Sequence, residues 1–388
     1  MTYSIQTLNN ISDKGLNLLP AAKYIVSDEA ENPDGILLRS YKMHDMQIPD
    51  SLKAVGRAGA GVNNIPLDKM SDKGVVVFNA PGANSNAVKE LVIAGMLMAC
   101  RNLTQARDFA GDLQGSDDEV TKQVEAGKKN FGGFELPGRT LGVVGLGAIG
   151  VLVANSARAL GMNVIGFDPL ISIDKAWELD ASVNKARDIN HLLQESDFIT
   201  FHVPLVEATK DLINAESLQM MKDNVVIMNF ARNGIVNDQD VCDALDSGKV
   251  YSYVCDFPSN LLKGNERVIA LPHLGASTAE AEENCAIMVA NEVREYLEHG
   301  TIENSVNMPT IDLPRAGEAR ISMIHKNLPG MVGQVSNILG EACCNIIHMV
   351  NDSRDDVAVT LLDLETDLEE SVKNELADIE GVLKFRVL

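Results

Sequence analysis

The run Gly145-Leu-Gly147-Ala148-Ile149-Gly150 places three glycines as G-x-G-x-x-G directly after an apolar stretch. Glycines at that spacing allow a tight turn and let a pyrophosphate approach the first N–H groups of a following helix. Asp168 lies eighteen residues past Gly150. A carboxylate there accepts hydrogen bonds from a ribose hydroxyl and repels a 2′-phosphate, so NAD is expected rather than NADP. Arg232, in Asn229-Phe230-Ala231-Arg232, offers a forked guanidinium for a substrate carboxylate. His273, in Leu271-Pro272-His273-Leu274-Gly275, brings an imidazole, the side chain best suited to proton transfer near neutrality. A base of that kind is what an alcohol carbon needs when it gives up hydride. His202, in Phe-His-Val-Pro204, reads as either structural or cofactor-lining.

These residues need a scaffold that brings them to one edge. Short β-like runs at 36–38, 54–57 and 75–79 alternate with helical stretches, which predicts a first parallel sheet with crossover helices. A polar stretch at 110–127 follows. A second series of strands, at 139–145, 163–167, 198–202, 225–229, 251–255 and 267–270, predicts a doubly wound sheet of six strands. Its carboxyl edge would carry the glycine loop, Asp168, Arg232 and His273 together. Residues 279–299 read as one long helix stopped by Gly300. A linker at 304–315, rich in Pro, Asn and Thr, precedes strands at 321–325, 345–350, 357–362 and 383–387, with one helix entered through Asn327-Leu-Pro-Gly330 and a second at 368–379. That order is βαββαβ, a ferredoxin-like module. The expected class is α/β, with two doubly wound, Rossmann-like domains and this C-terminal module.

Composition agrees with a globular chain of several domains: 388 residues, 45% hydrophobic and 23% charged. The 33 Lys and Arg against 55 Asp and Glu leave a net charge of −22. Such a balance repels nucleic-acid backbones and anionic membranes, so neither is an expected partner. A small anion binds only where Arg, Lys or backbone N–H groups concentrate positive potential. The first residues lack the basic and apolar regions of an export signal, and the longest apolar run, 91–100, is too short to cross a bilayer. Six cysteines without C-x-x-C pairing read as reduced thiols, with no metal cage. A cytoplasmic location is expected.

The glycine loop, Asp168, His202-Val-Pro204-Leu, Ala231-Arg232-Asn-Gly and Pro272-His273-Leu-Gly275-Ala-Ser-Thr together resemble the D-isomer specific 2-hydroxyacid dehydrogenases over residues 1–305. The resemblance implies a substrate-binding domain at 1–97 and 280–305, an NAD-binding domain at 98–279, and catalysis by Arg232 and His273. It implies a cofactor site made of Gly145, Gly147, Ala148, Ile149, Gly150, Asp168, His202, Pro204, Phe230, Ala231, Arg232, Asp256, His273 and Gly275. Asp256 would hold the nicotinamide carboxamide. The loops Arg39-Ser40, Gly59-Ala60-Gly61 and Asn79-Ala-Pro-Gly-Ala-Asn84 are similar to those of members that oxidise D-3-phosphoglycerate to 3-phosphohydroxypyruvate, a first step toward L-serine. By that similarity Gly59, Ala60 and Gly61 present N–H groups to the carboxylate, Asn84 lines the site, and Arg39, Ser40 and Lys42 meet the phosphate. The bland reading of Arg39 and Lys42 is a solvated loop face.

Residues 317–388 resemble the ACT domains of such enzymes. His325, Asn327 and Asn345 would then hold an amino-acid effector, L-serine, at an interface between two modules of a homodimer or homotetramer. The plain alternative makes Asn327-Leu-Pro-Gly330 a turn and Asn345 a strand start. One departure stands out. The family's glutamate that pairs with the catalytic histidine is missing after Asp256-Phe257, where the chain reads Pro-Ser-Asn260-Leu-Leu-Lys. Asp256, Glu266 or another chain could replace it. Two rival functions remain open from the residues alone: a dehydrogenase of another D-2-hydroxy acid, and a non-catalytic NAD or amino-acid sensor on the same scaffold.

Overall fold

Three sheets organise the chain in the computed structural model, which describes residues 2–388. The first holds β1 (Tyr3–Leu8), β2 (Tyr24–Ser27), β3 (Gly35–Leu38), β4 (Ala54–Arg57) and β5 (Val76–Asn79). All are parallel, in the order β2-β1-β3-β4-β5. Every residue of β3 and three of the four in β4 are buried, as expected of parallel strands covered on both faces. The long helix Ala279–His299 is one cover. Its Val289 and Val293 sit so near β4 that a Cβ on Gly56 would meet them at 3.1 and 3.0 Å, so a side-chain-free residue sets that approach.

The second sheet holds β6 (Thr140–Val144), β7 (Asn163–Phe167), β8 (Asn184–Lys185), β9 (Phe198–Phe201), β10 (Val225–Asn229), β11 (Val250–Cys255) and β12 (Val268–Ala270). Their order, β12-β11-β10-β9-β6-β7-β8, is parallel throughout and reverses direction between β9 and β6. Ligands of doubly wound sheets bind at the carboxyl edge beside such a reversal. The six expected strands are present. The seventh, β8, is two exposed residues without an apolar signal.

The third sheet holds β13 (Ala319–Lys326), β14 (Ile346–Arg354), β15 (Val357–Leu364) and β16 (Val382–Val387). It is antiparallel in the order β14-β15-β13-β16, and helices Met331–Glu341 and Glu370–Ala377 complete the βαββαβ order. Ile321, Met323, Leu362 and Leu364 pack with Val335, Leu339 and Leu376 of those helices. Ile324, Val359 and Leu361 instead join the core that contains Tyr296 and Leu297.

By packing the chain divides into two compact units, residues 1–84 with 279–388, and residues 85–278. The ACT-like sheet therefore belongs with the first unit. Arg386 donates to the carbonyls of Leu297 and Tyr296, and Arg320 to that of His299. These cations stabilise the last turn of the long helix, whose carbonyls have no intrahelical partners. Arg320 is itself buried and forked onto Asp363 at 2.6 and 2.7 Å. The linker after Gly300 is stitched down as well. Ile302 bridges to Ile311, and Asn307 bonds the N–H of Val77 and the carbonyl of Val75.

Three expectations change. The division falls at 84/85 rather than 97/98, because Val88, Val92, Met96 and Ala99 of helix Ser85–Cys100 pack with Val143, Val153 and Val254 of the second unit. The polar stretch at 110–127 contains helix Asp117–Gly127. Its start is marked by Ser116, whose N–H donates to Glu119 Oε2 at 2.8 Å, a capping signature written in the sequence as S-x-x-E. Strands β1 and β2, short and only partly buried, gave no clear alternation. Among the described residues no helix is long and apolar enough to cross a membrane.

Candidate active site

The carboxyl ends of six parallel strands supply the site in the second unit. After β6, Gly145 turns with φ +90, and a Cβ on it would lie 2.5 Å from the His202 carbonyl. A Cβ on Gly150 would lie 1.9 Å from the Gly145 carbonyl, so neither position accepts a side chain. Gly147, by contrast, faces open space. Helix Ala148–Ala159 starts there, and the N–H groups of Ala148, Ile149 and Gly150 are those its first turn leaves without intrahelical partners.

Asp168, at the end of β7, ties this loop down. Its Oδ2 accepts the Leu146 N–H at 2.8 Å and its Oδ1 the Leu170 N–H at 2.9 Å. Each oxygen keeps a lone pair for a ribose hydroxyl. His202, after β9, bonds Thr200 Oγ1 at 3.1 Å through Nε2, and burial pushes its pKa down to about 3. It is a neutral imidazole at pH 7, which suits lining rather than acid-base work. Pro204, two residues on, is exposed.

After β10, the buried Asn229 shapes the loop. Its Oδ1 accepts the Ala231 N–H and its Nδ2 donates to the Arg232 carbonyl. Phe230 and Ala231 are buried, while Arg232 is exposed and spends one N–H on the Ala231 carbonyl at 2.7 Å. The rest of its fork is available to a ligand. Asn229 escaped sequence reading because an asparagine at a strand end carries no distinctive signal.

After β12, His273 adopts a left-handed backbone with φ +50, and its N–H bonds the carbonyl of Asp256, the residue after β11, at 3.1 Å. Its ring lies 5.1 Å from that of Phe257. Asp256 is 1% exposed and neither carboxylate oxygen makes a well-formed hydrogen bond. Burial pushes its pKa up, while the charge of His273, the Gly275 N–H and the charge of Arg232 pull it back. Glu266 drops out as a partner for His273, since it precedes the opposite end of β12.

In the first unit, Arg39 and Ser40 follow β3. Arg57 Nε and Asn64 Nδ2 donate to the Arg39 carbonyl, and the Arg39 guanidinium pairs with Glu282 at 2.6 Å. The Ser40 N–H donates to Asn9 Oδ1. Asn79 Nδ2 bonds the Ala60 carbonyl at 2.6 Å, and nothing crowds Gly61. Lys42 is exposed and Asn84 half-buried. Arg57, whose Nη1 lies 2.0 Å from where a Cβ on Gly59 would sit, is a second cation at this loop. The sequence hides it inside an apolar strand.

In the ACT-like sheet, His325 is 3% exposed, and its ring nitrogens contact the Lys326 carbonyl and Thr360 Oγ1. Both ring nitrogens are thus engaged within the sheet. Asn327 Nδ2 donates to the Asp355 carbonyl and Asn345 Nδ2 to Glu365 Oε2. The Asn327 N–H bonds the Asp356 carbonyl and the Glu365 N–H bonds the Asn345 carbonyl, so within one chain the two asparagines lie at opposite ends of the sheet, roughly 30 Å apart at ~3.3 Å per residue.

A dinucleotide fits the residues of the second unit. The glycine loop leaves space in front of a helix N-terminus, Asp168 keeps acceptors for a ribose, and the orphaned Asp256 carboxylate lacks the donors that a carboxamide would bring. The fold and this edge define a nucleotide-dependent dehydrogenase. Residues 93–275 match the NAD binding domain of the D-isomer specific 2-hydroxyacid dehydrogenases. The D-3-phosphoglycerate dehydrogenase of Haemophilus influenzae is 31% identical over 91% of this chain and 86% of its own length. That of Methanocaldococcus jannaschii is 38% identical over 78% of this chain and 56% of its own length. The chain thus spans about half the length of the archaeal relatives it matches. An NAD+-bound 3-phosphoglycerate dehydrogenase of Entamoeba histolytica shares the fold, with a TM-score of 0.60 and 24% identity over 79% of this chain and 99% of that one. The chain belongs to the D-isomer specific 2-hydroxyacid dehydrogenase family, and NAD is its cofactor.

Proposed function

We propose that the chain oxidises D-3-phosphoglycerate to 3-phosphohydroxypyruvate, the entry step of phosphorylated L-serine biosynthesis, in the cytoplasm. The observation that carries the reading is the convergence of Arg232, Asp256 and His273 on the carboxyl edge of one sheet, with Asp256 buried and unpaired. Arg232 orients the substrate carboxylate through its free N–H groups. His273 takes the C2 hydroxyl proton, and the Asp256 carboxylate stabilises the imidazolium so formed, in place of the family's glutamate. Bound NAD supplies the acceptor for the C2 hydride. In the first unit the N–H groups of Ala60 and Gly61, with Asn84, are assigned to the carboxylate end, and Arg39, Ser40 and Lys42 to the phosphate. Similarity to relatives called D-3-phosphoglycerate dehydrogenase supports the substrate.

The ACT-like sheet supports L-serine as an effector. Because Asn327 and Asn345 lie at opposite ends of one module, an effector touching both needs a second copy, which favours a homodimer or homotetramer. NADH oxidation is measured with 3-phosphohydroxypyruvate beside hydroxypyruvate, with and without L-serine. Rapid turnover of the phosphorylated acid is expected, suppressed by serine. Turnover without suppression removes the effector site, and tight NADH binding without turnover of either acid removes this substrate in favour of another D-2-hydroxy acid or of a sensor.

A further inference from the structure

Arg39 has a fixed backbone and an exchangeable head. Its carbonyl is held by Arg57 Nε at 3.1 Å and Asn64 Nδ2 at 3.2 Å, whereas the ion-pair partner of its guanidinium is the Glu282 carboxylate, Nη1 to Oε1 at 2.6 Å. Glu282 stands in the first turn of helix Ala279–His299, where the N-terminal partial charge of the helix favours an anion. The two positions are 243 apart in sequence. The side chains are 37% and 46% exposed, and an open pair of this kind is held weakly and exchanges easily. Buried Cys285, one turn further along the helix, lies within the fields of Arg57, Arg39 and Glu282 together.

We infer that Glu282 is a specificity-determining residue: it occupies the Arg39 guanidinium until the phosphoryl group of the substrate displaces it, and so sets how strongly the enzyme prefers a phosphorylated acid. The inference rests on the assignment of Arg39 to the phosphate under the proposed function. A dianionic phosphoryl group must compete with a carboxylate already in place, and it leaves that carboxylate close by as a like charge. Both effects weaken binding of the phosphorylated acid and leave an acid without the phosphate untouched. Glu282 touches no reacting atom, and its influence passes through Arg39.

The test compares wild type, Glu282→Gln and Arg39→Met in NADH-linked reduction of 3-phosphohydroxypyruvate and of hydroxypyruvate. Both positions are solvent-facing, and circular dichroism checks that the variants fold. Glu282→Gln is expected to lower the KM for 3-phosphohydroxypyruvate roughly three- to tenfold by removing one nearby like charge. The KM for hydroxypyruvate should move much less. The gain should shrink as salt is raised toward ~0.5 M, since the charges are exposed. A raised KM for the phosphorylated acid would make Glu282 a clamp that holds Arg39 ready, and an unchanged KM would make the pair a surface contact; either overturns the inference. Arg39→Met separates the two levels. If it raises the KM for the phosphorylated acid while Glu282→Gln does not lower it, only the inference fails. If Arg39→Met leaves that KM unchanged, the phosphate assignment of Arg39 fails with it.

Discussion

The His273 N–H donates to the Asp256 carbonyl at 3.1 Å, so the residue after β11 anchors the backbone of the loop after β12 while its own carboxylate stays buried and unpaired. One aspartate thereby places the histidine backbone, and under the proposed function its carboxylate takes the part of the glutamate that the sequence lacks.

Asp256→Asn should separate those two parts. The carbonyl that holds His273 is kept, and the charge is lost. Less negative charge beside the imidazolium gives the proton donor less support during keto-acid reduction. The kcat for reduction should fall by roughly tenfold or more, read by NADH oxidation at saturating substrate. An unchanged kcat would place the acid partner elsewhere.

His273→Ala should cut turnover by ~10²–10⁴, the usual contribution of a positioned acid-base group, with NADH affinity largely intact. The nucleotide cradle is built by other strands, which is why binding survives. Stopped-flow turnover and NADH fluorescence titration check the two halves, and unchanged turnover would take His273 out of the mechanism.

Asp168 should make the enzyme prefer NADH to NADPH, since a carboxylate at the end of that strand repels a 2′-phosphate. Asp168→Asn removes the charge and should bring the two cofactors at least roughly tenfold closer in kcat/KM. Some loss of NADH affinity is also expected, because Asp168 holds the glycine loop through the Leu146 N–H. Equal use of both cofactors by the wild type would show that another residue reads the ribose.

Glu292, on the long helix, is 8% exposed; burial pushes its pKa up to about 8, opposed by the Asn304 side-chain hydrogen bond. The folded state therefore holds a proton that the unfolded chain releases near the ordinary value of 4.5. The stability due to the protonated carboxyl is complete below pH 4.5 and is lost as pH rises to about 8, at about 1.4 kcal/mol per pH unit inside that window. Glu292→Gln should flatten this dependence and leave the variant more stable than wild type at pH 8. Thermal unfolding across pH 5–9 reads both, and parallel curves for the two proteins would remove Glu292 as the cause.

Much of the site was legible because its signals are local. A G-x-G-x-x-G after an apolar run specifies a turn whatever surrounds it, and the strands of the second sheet are runs of Val, Ile and Phe buried on both faces. Asp168, Arg232 and His273 each follow such a run. Parallel topology then sends all three to one edge. Less was legible where the signal was weak or shared. Strand β8 has two polar residues, β1 and β2 are half-covered, and the helix at 117–127 shows itself only through Ser116 and Glu119.

The six main strands of the second sheet, the glycine loop and the residues that end those strands were settled by the chain's own pattern, since backbone conformation and side-chain period act over a few residues. What no such pattern could decide were the pairings between distant positions. Asp256 meets His273, Glu282 meets Arg39 across 243 residues, His325 turns inward to Thr360, and the apolar stripe of helix 85–100 chooses the second sheet over the first. Each depends on which surfaces come together when the sheets are covered. Burial and charge at a point in space are properties of all the chain that gathers there, so they exist only once the tertiary structure has formed.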